Sequence, residues 1–342
     1  MTNKQSQYAQ AGVNIDAGQH AVNLMKSAIT ATYTPQVLSN TGNFGGLFAI
    51  DNLKQLQSPV LVASTDGVGT KTKIAATLNQ WDTIGQDLVN HCINDILVQG
   101  ARPLFFLDYV ASSQLIPEQI AAIVTGMAQA CQAAGCALLG GETAEMPGVY
   151  QDNEVDVVGT IIGVLDKVNL LDGSQIRAGD VMIGLPSTGL HTNGFSLARA
   201  VLADLDLNAK YDPLDGTLGE ALLAVHRNYV HHIDQLRAAT VDIHGLAHIT
   251  GGGLVDNVPR ILPQTVNAVI QHDSWKNLPI FEMIQKLGQI DIEEMYRVFN
   301  MGIGMVVIVP QEQASLVQST LDETYLIGQI TDGDGSVVIE GY

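Results

Sequence analysis

Residues 59–73, Pro-Val-Leu-Val-Ala-Ser-Thr-Asp-Gly-Val-Gly-Thr-Lys-Thr-Lys, pass from a short apolar run straight into an acid, two glycines and two lysines. Residues 60–63 read as a buried strand bounded by Pro59, so the polar groups fall at its tip. Gly67 and Gly69 free the next turn from side-chain sterics and let backbone N–H groups approach a ligand. Asp66 is a candidate metal ligand there and Lys71 a candidate phosphate contact. A P-loop is excluded, because Thr70 stands between Gly69 and Lys71 where that motif needs Gly-Lys-Ser/Thr. Taken alone, the segment also reads as a plain strand-to-helix turn with solvated lysines.

The same pattern of strand, glycine-rich turn and helix recurs along the chain. Periodicity predicts helices over 14–31, 83–99, 117–135, 217–238 and 254–262, and one from Phe195 towards Leu202. Apolar runs predict strands over 103–110, 136–139, 155–164, 181–185, 266–271, 304–309 and 336–339. Asp172-Gly173 and Ala178-Gly179-Asp180 punctuate the middle, which puts a domain boundary near residue 170. The expected fold class is α/β (α+β) in two domains, 1–170 and 171–342, consistent with 342 residues.

Charge limits the partners. With 35 acids against 16 bases and a net charge of −19, broad attraction to nucleic acid or an anionic membrane is disfavoured, and an anionic substrate has to be captured locally. Helix N-termini and bound Mg²⁺ can do this. Cys92, Cys131 and Cys136 are odd in number, and Cys131 and Cys136 lack the spacing of a zinc knuckle, so reduced structural thiols are expected. The polar N-terminal stretch and the lack of an apolar run near 20 residues predict a cytoplasmic protein.

Several segments could carry chemistry. Asp66, Asp95 and Glu142 fall at or near element ends, and carboxylates suit Mg²⁺, although each alone also suits a cap or a solvated turn. Residues 39–46, Ser-Asn-Thr-Gly-Asn-Phe-Gly-Gly, form a loop able to turn the chain or to cover a nucleotide. Residues 187–194, Ser-Thr-Gly-Leu-His-Thr-Asn-Gly, are dense in small donors after a strand, which suits anion binding; His191 is either a substrate contact or a bystander. Thr250-Gly-Gly-Gly253 is a second such cradle. A zinc site on His244 and His248 is disfavoured, since Gly245 weakens a helix there.

In order along nearly the whole chain, residues 65–71 (Thr-Asp-Gly-Val-Gly-Thr-Lys), Asn94-Asp95, 140–147 (Gly-Gly-Glu-Thr-Ala-Glu-Met-Pro), 188–194, 250–253 and 294–302 (Glu-Met-Tyr-Arg-Val-Phe-Asn-Met-Gly) closely resemble the phosphoribosylformylglycinamidine cyclo-ligase (AIR synthetase) family. The resemblance implies a homodimer built on paired N-terminal sheets, an N-terminal ATP and Mg²⁺ domain and a C-terminal substrate-side domain. It implies ATP-dependent closure of an imidazole ring in purine synthesis. It casts Asp66, Asp95 and Glu142 as Mg²⁺ ligands, and Lys26, Gly42, Gly45, Gly46, Gly67, Gly69, Thr70 and Lys71 as ATP contacts. Thr188, Gly189, Thr192, Asn193 and Gly251, Gly252 and Gly253 become substrate contacts. His191, Lys71 and Asp66 are the implied catalytic residues, with His191 polarising or deprotonating the amidine. Asn43 departs from the pattern, where a further glycine is expected.

Related ATP-dependent enzymes remain as alternatives, as does a non-catalytic nucleotide-binding protein. No cysteine precedes Cys92 and the chain ends Val-Val-Ile-Glu-Gly-Tyr. The first point disfavours a selenophosphate synthetase and the second a hydrogenase-maturation dehydratase; thiamine-monophosphate kinase is the third related enzyme.

Overall fold

The structure is a computed structural model that describes residues 12–39 and 41–341. Asn40 of the glycine loop and the polar N-terminal stretch lie outside the described residues. The chain divides into two compact units. One takes in the chain up to Ile96 together with Arg102–Lys167, and the other Leu97–Ala101 with Val168–Tyr342.

In the first unit the strands are β1 (Pro59–Gly67), β2 (Arg102–Ser112), β3 (Ala137–Glu145) and β4 (Val155–Asp166), and the helices are α1 (Ile15–Ala31), α2 (Lys71–Leu78), α3 (Asp82–Leu97) and α4 (Pro117–Ala133). They build a four-stranded sheet in the order β1-β4-β2-β3, with only β2 and β3 parallel. One face is covered by helix: a Cβ on Gly159 of β4 would meet Phe106 and Leu88, so strand and α3 approach closely there. The helices are equally tight, since a Cβ on Gly85 would stand 1.9 Å from the Ile123 carbonyl oxygen and one on Gly126 2.4 Å from that of Asp82. The opposite face is barely covered. Leu61 is 65% exposed and Leu107 36%.

In the second unit β5 (Asp180–Pro186), β6 (Gly245–His248), β7 (Val266–Gln271), β8 (Ile303–Pro310), β9 (Tyr325–Asp332) and β10 (Val337–Glu340) form a mixed sheet in the order β10-β7-β9-β5-β8-β6. Both β5 and β8 are buried along their whole length, as their unbroken apolar runs require. Their side chains join Tyr229, Ile233 and Leu236 in one core. The helices are α5 (Phe195–Val201), α6 (Leu218–Leu223), α7 (Val230–Ala238), α8 (Gly253–Asn257), α9 (Pro279–Gly288), α10 (Ile292–Val298) and α11 (Ala314–Thr320).

Two sequence expectations change. The helix expected over 217–238 is two helices: a Thr217–Glu220 capping box starts α6, and at Ala224 the backbone leaves helical geometry. The six residues 224–229 form no regular element and carry His226, Arg227 and Tyr229. The helix expected over 254–262 stops at Asn257 and continues as a 3₁₀ turn, Val258–Ile261, in which Pro259 has no N–H to donate. Strand β9 and helices α2, α9, α10 and α11 were not anticipated. Among the described residues no helix is long and apolar enough to cross a membrane, and all three cysteines are buried and free.

Candidate active site

The tip of β1 brings Asp66 to α3. Asp66 pairs with Gly159 on the helix-covered side of the sheet, and its Oδ2 lies 2.8 Å from His91 Nε2. One helical turn on, Asp95 Oδ2 is 3.8 Å from the same nitrogen and accepts a hydrogen bond from Ser64 Oγ at 2.9 Å. Residues i and i+4 share a helix face, so α3 presents His91 and Asp95 together. The His91 side chain is 5% exposed and that of Asp66 45%. Burial works against the Asp66 carboxylate, yet the His91 bond and charge and the Gly67 N–H hold its pKa below the usual value. Burial likewise opposes charge on His91, but the Asp66 bond and the charges of Asp95, Asp66 and Asp87 push its pKa up. Gly67, Gly69 and Thr70 follow in the turn, with Gly69 at φ +68° and Thr70 leading into α2.

Lys71 does not take the expected place. As the first residue of α2 it points into the unit, with Nζ 2.8 Å from Asp87 Oδ2 and both side chains wholly buried. A phosphate arriving from solvent does not meet it in this arrangement. Lys73, two residues on, is the partly exposed one and pairs with Glu154.

Glu142 is apart from the two aspartates in the sheet. Register runs Glu142↔Tyr109↔Val158↔Gly67, whereas Asp66 lies in the row Asp66↔Gly159↔Asp108↔Gly141. Glu142 and Asp66 therefore occupy opposite faces and opposite edges, three strand spacings or about 14 Å apart along the sheet. Glu142 instead lines a cavity of about 700 Å³ with Gly42, Gly45, Gly46, Asp108, and Val22 and Met25 of α1. Lys26, next along α1, is exposed. Burial pushes the Asp108 carboxyl up to about 7, its own backbone N–H offsetting a part.

The second unit assembles the loop after β5. His191 is buried with φ +61°, a conformation that costs a non-glycine residue energy and is concentrated at functional sites. Its Nε2 accepts the backbone N–H groups of Thr188 at 3.3 Å and Arg227 at 3.4 Å. A nitrogen facing two donors carries the lone pair, which puts the proton of the neutral ring on Nδ1. Gly304 makes room, since a Cβ there would stand 2.5 Å from His191 Cε1 and 2.1 Å from Tyr229 Oη. The His226 ring stacks on His191 at 4.0 Å and meets His248 through Nε2 at 3.0 Å. Ser187 and Asn300 both bond the Gly189 carbonyl. Thr192 bridges Asn193 and His226. Asn193 Oδ1 lies close to where a Gly251 side chain would start, and Asn257 Nδ2 donates to the carbonyls of Thr250, Gly251 and Gly253. Thr188, Gly189, His191, Thr192, Asn193 and Gly251–Gly253 are thus one neighbourhood.

Sequence reasoning missed four residues. His91 had a usable signal, its i,i+4 spacing to Asp95. Asp87, Asp108 and His226 had none, because their importance comes from what the fold buries around them.

Two family models match the chain: AIR synthase related protein, N-terminal domain, over residues 52–165, and AIR synthase related protein, C-terminal domain, over 177–340. Phosphoribosylformylglycinamidine cyclo-ligase of Desulfitobacterium hafniense is 50% identical over 328 residues, covering 95% of this chain and 96% of the relative. That of Geobacillus thermodenitrificans is 51% identical over 335 residues, covering 96% of each. Among solved structures, thiamine-monophosphate kinase from Stenotrophomonas maltophilia superposes with a TM-score of 0.69 at 18% identity, over 93% of this chain and 96% of that one. The hydrogenase maturation protein HypE in complex with ATP gives 0.67 at 18%, over 97% and 93%. These distant likenesses establish a shared fold. With half its residues identical to those cyclo-ligases from end to end, the chain belongs to the phosphoribosylformylglycinamidine cyclo-ligase family.

Proposed function

We propose that the protein closes the imidazole ring of 5-aminoimidazole ribonucleotide from formylglycinamidine ribonucleotide, using ATP and releasing ADP and phosphate, in purine biosynthesis. The observation that carries this reading is that Asp66 at the tip of β1 and Asp95 of α3 both stand against His91 Nε2, at 2.8 and 3.8 Å, inside a chain about half identical to cyclo-ligases over 95% of its length.

The chemistry explains what the residues have to do. An amide oxygen is a poor leaving group and phosphate a good one, so ATP phosphorylates the formyl oxygen. The amidine nitrogen then attacks that carbon, the ring closes and phosphate departs. Catalysis of this kind is positioning plus electrostatics. Asp66 and Asp95 have the donor chemistry to hold Mg²⁺, which when bound neutralises phosphate charge. Gly42, Gly45, Gly46, Gly67, Gly69 and Thr70 offer backbone N–H groups to the nucleotide, and exposed Lys26 offers a charge. Thr188, Gly189, Thr192 and Asn193 hold the substrate, and Gly251–Gly253 its ribose phosphate. His191, with its proton on Nδ1, acts as a hydrogen-bond donor that polarises the substrate. Its Nε2, occupied by two N–H groups, is a poor base. Lys71 supports the site from inside the unit.

The uncovered sheet face supports a homodimer, with Leu61 and Leu107 in its buried seam. Since Asp66 and Glu142 lie on opposite faces of one sheet, a site using both takes them from different subunits.

Purified protein supplied with ATP, Mg²⁺ and formylglycinamidine ribonucleotide is expected to release ADP in a substrate-dependent manner, and not with thiamine phosphate or selenide. No substrate-dependent ADP would overturn the proposal.

A further inference from the structure

Two backbone N–H groups, of Thr188 and Arg227, hold the His191 ring at its edge through Nε2, and the faces of the ring are left to packing. His226 covers one of them. Its ring centre lies 4.0 Å from that of His191, with 20° between the planes. Since His226 and Arg227 are consecutive, the irregular segment after α6 supplies both the edge bond and the stacked ring. His226 is itself tied at both nitrogens: Nδ1 lies 3.4 Å from Thr192 Oγ1 and Nε2 3.0 Å from His248 Nε2. All three histidines are buried. Two imidazole nitrogens at that separation form a hydrogen bond only when one carries a proton and the other a lone pair. A phenyl ring could stack in the same place but could make neither bond.

We infer that His226 is a positioning residue for His191 and Thr192, and that it shares a single proton with His248. The stack keeps the His191 ring from turning, so its Nδ1–H holds one direction. The Nδ1 bond of His226 sets the Thr192 hydroxyl. His248, the last residue of β6, anchors the ring that does both. Groups that orient a reacting residue are effective when packing and hydrogen bonds lock their own rotamers in this way. The inference rests on the reading of His191 as catalytic and of Thr192 as a substrate contact, and adds the residues that orient them.

The test is ¹⁵N nuclear magnetic resonance on the full-length protein labelled with ¹⁵N-histidine. An Nε2–H···Nε2 bond between two imidazoles gives a ¹⁵N–¹⁵N coupling across the hydrogen bond, expected in the wild-type protein and lost in His226→Phe. In steady-state assays His226→Ala is expected to lower kcat about a hundredfold, the order that follows from misplacing a reacting group by about 1 Å. His226→Phe keeps a ring over His191 and is expected to restore most of that kcat. It is also expected to raise the KM for formylglycinamidine ribonucleotide about fivefold, the worth of one hydrogen bond to Thr192. A merely structural residue would shift the urea midpoint and leave kcat and KM of the folded protein alone. No coupling in the wild-type protein overturns the inference, and this answer stands even where the variants fold poorly. So does a folded His226→Ala with unchanged kcat, or a His226→Phe whose kcat falls as far as that of His226→Ala. Wild-type protein that shows the coupling but releases no substrate-dependent ADP overturns the proposed function and leaves the shared proton standing.

Discussion

Replacing Lys71 separates two roles that predict opposite results. The ammonium and the Asp87 carboxylate are 2.8 Å apart with no solvent exposure on either side chain. At an effective dielectric constant of 20 their attraction is about 6 kcal/mol, against several kcal/mol of lost hydration for each ion. The two nearly cancel, and the Lys71 pKa is lowered because burial outweighs the charge and hydrogen bond of Asp87. The intact pair thus adds little stability, while a broken pair leaves a buried charge without a counter-ion. Lys71→Met and Asp87→Asn are each expected to cost about 3–5 kcal/mol, and Lys71→Met/Asp87→Leu to fall within about 1 kcal/mol of wild type or above it. Urea unfolding followed by circular dichroism reads these values, with slopes compared so that midpoint shifts report stability. If Lys71 were a phosphate ligand, Lys71→Met would instead raise the KM for ATP at an unchanged midpoint, and Asp87→Asn would be nearly silent. A cost under about 1 kcal/mol for Lys71→Met, or a double variant as unstable as the sum of the singles, would refute the argument.

Asp108 makes stability depend on pH. Burial raises its folded pKa to about 7, above the usual aspartate range, so the folded state holds the proton more tightly. Its contribution is full below about pH 4 and is lost as pH rises through 7, about 4 kcal/mol in all. Asp108→Asn is therefore expected to unfold at higher urea than wild type at pH 8 and equally near pH 4; a difference that does not vary with pH would exclude a buried, proton-binding Asp108. Subunit sharing has its own test. Asp66→Asn and Glu142→Gln, each inactive alone, are expected to regain activity after mixing and refolding, and no recovery in any mixture would place both residues in one subunit's site.

Local chemistry was what the sequence could reveal. The tip of β1 was legible because four apolar residues, 60–63, give way to Ser64, Thr65 and Asp66, and α4 because its alanine-rich stripe ends at Gly135. The loop from Ser187 to Gly194 was legible because small donors cluster there after a strand. Lys71 was not: a lysine beside two glycines looks solvated, and only the packing of α2 against Asp87 of α3 reverses that. The break at Ala224 was hidden for a similar reason, since residues 217–238 suit a helix locally. The tertiary structure draws 224–229 out of it, where Arg227 N–H meets His191 and Tyr229 Oη bonds the Pro186 carbonyl at 2.9 Å. Glu142 resembled Asp66 in the sequence, each an acid at the end of a strand. The two-residue period of the pleat sends one to each face, and that depends on register across four strands.

The burial of Lys71 changes how a chain of net charge −19 handles an anionic nucleotide. That lysine is wholly buried and committed to Asp87. What the strand tip does have is Asp66 and Asp95 set together around His91. Carboxylates repel phosphate directly but concentrate divalent cations, and a cation held by two of them cancels their charge while offering its remaining coordination positions to phosphate oxygens. On the proposed reading, the acidic surplus that disfavours nucleic acid is compatible with ATP, because the acids at this position recruit the counter-charge. Removing one of them should weaken nucleotide binding although it makes the protein less negative, the reverse of what net charge alone predicts.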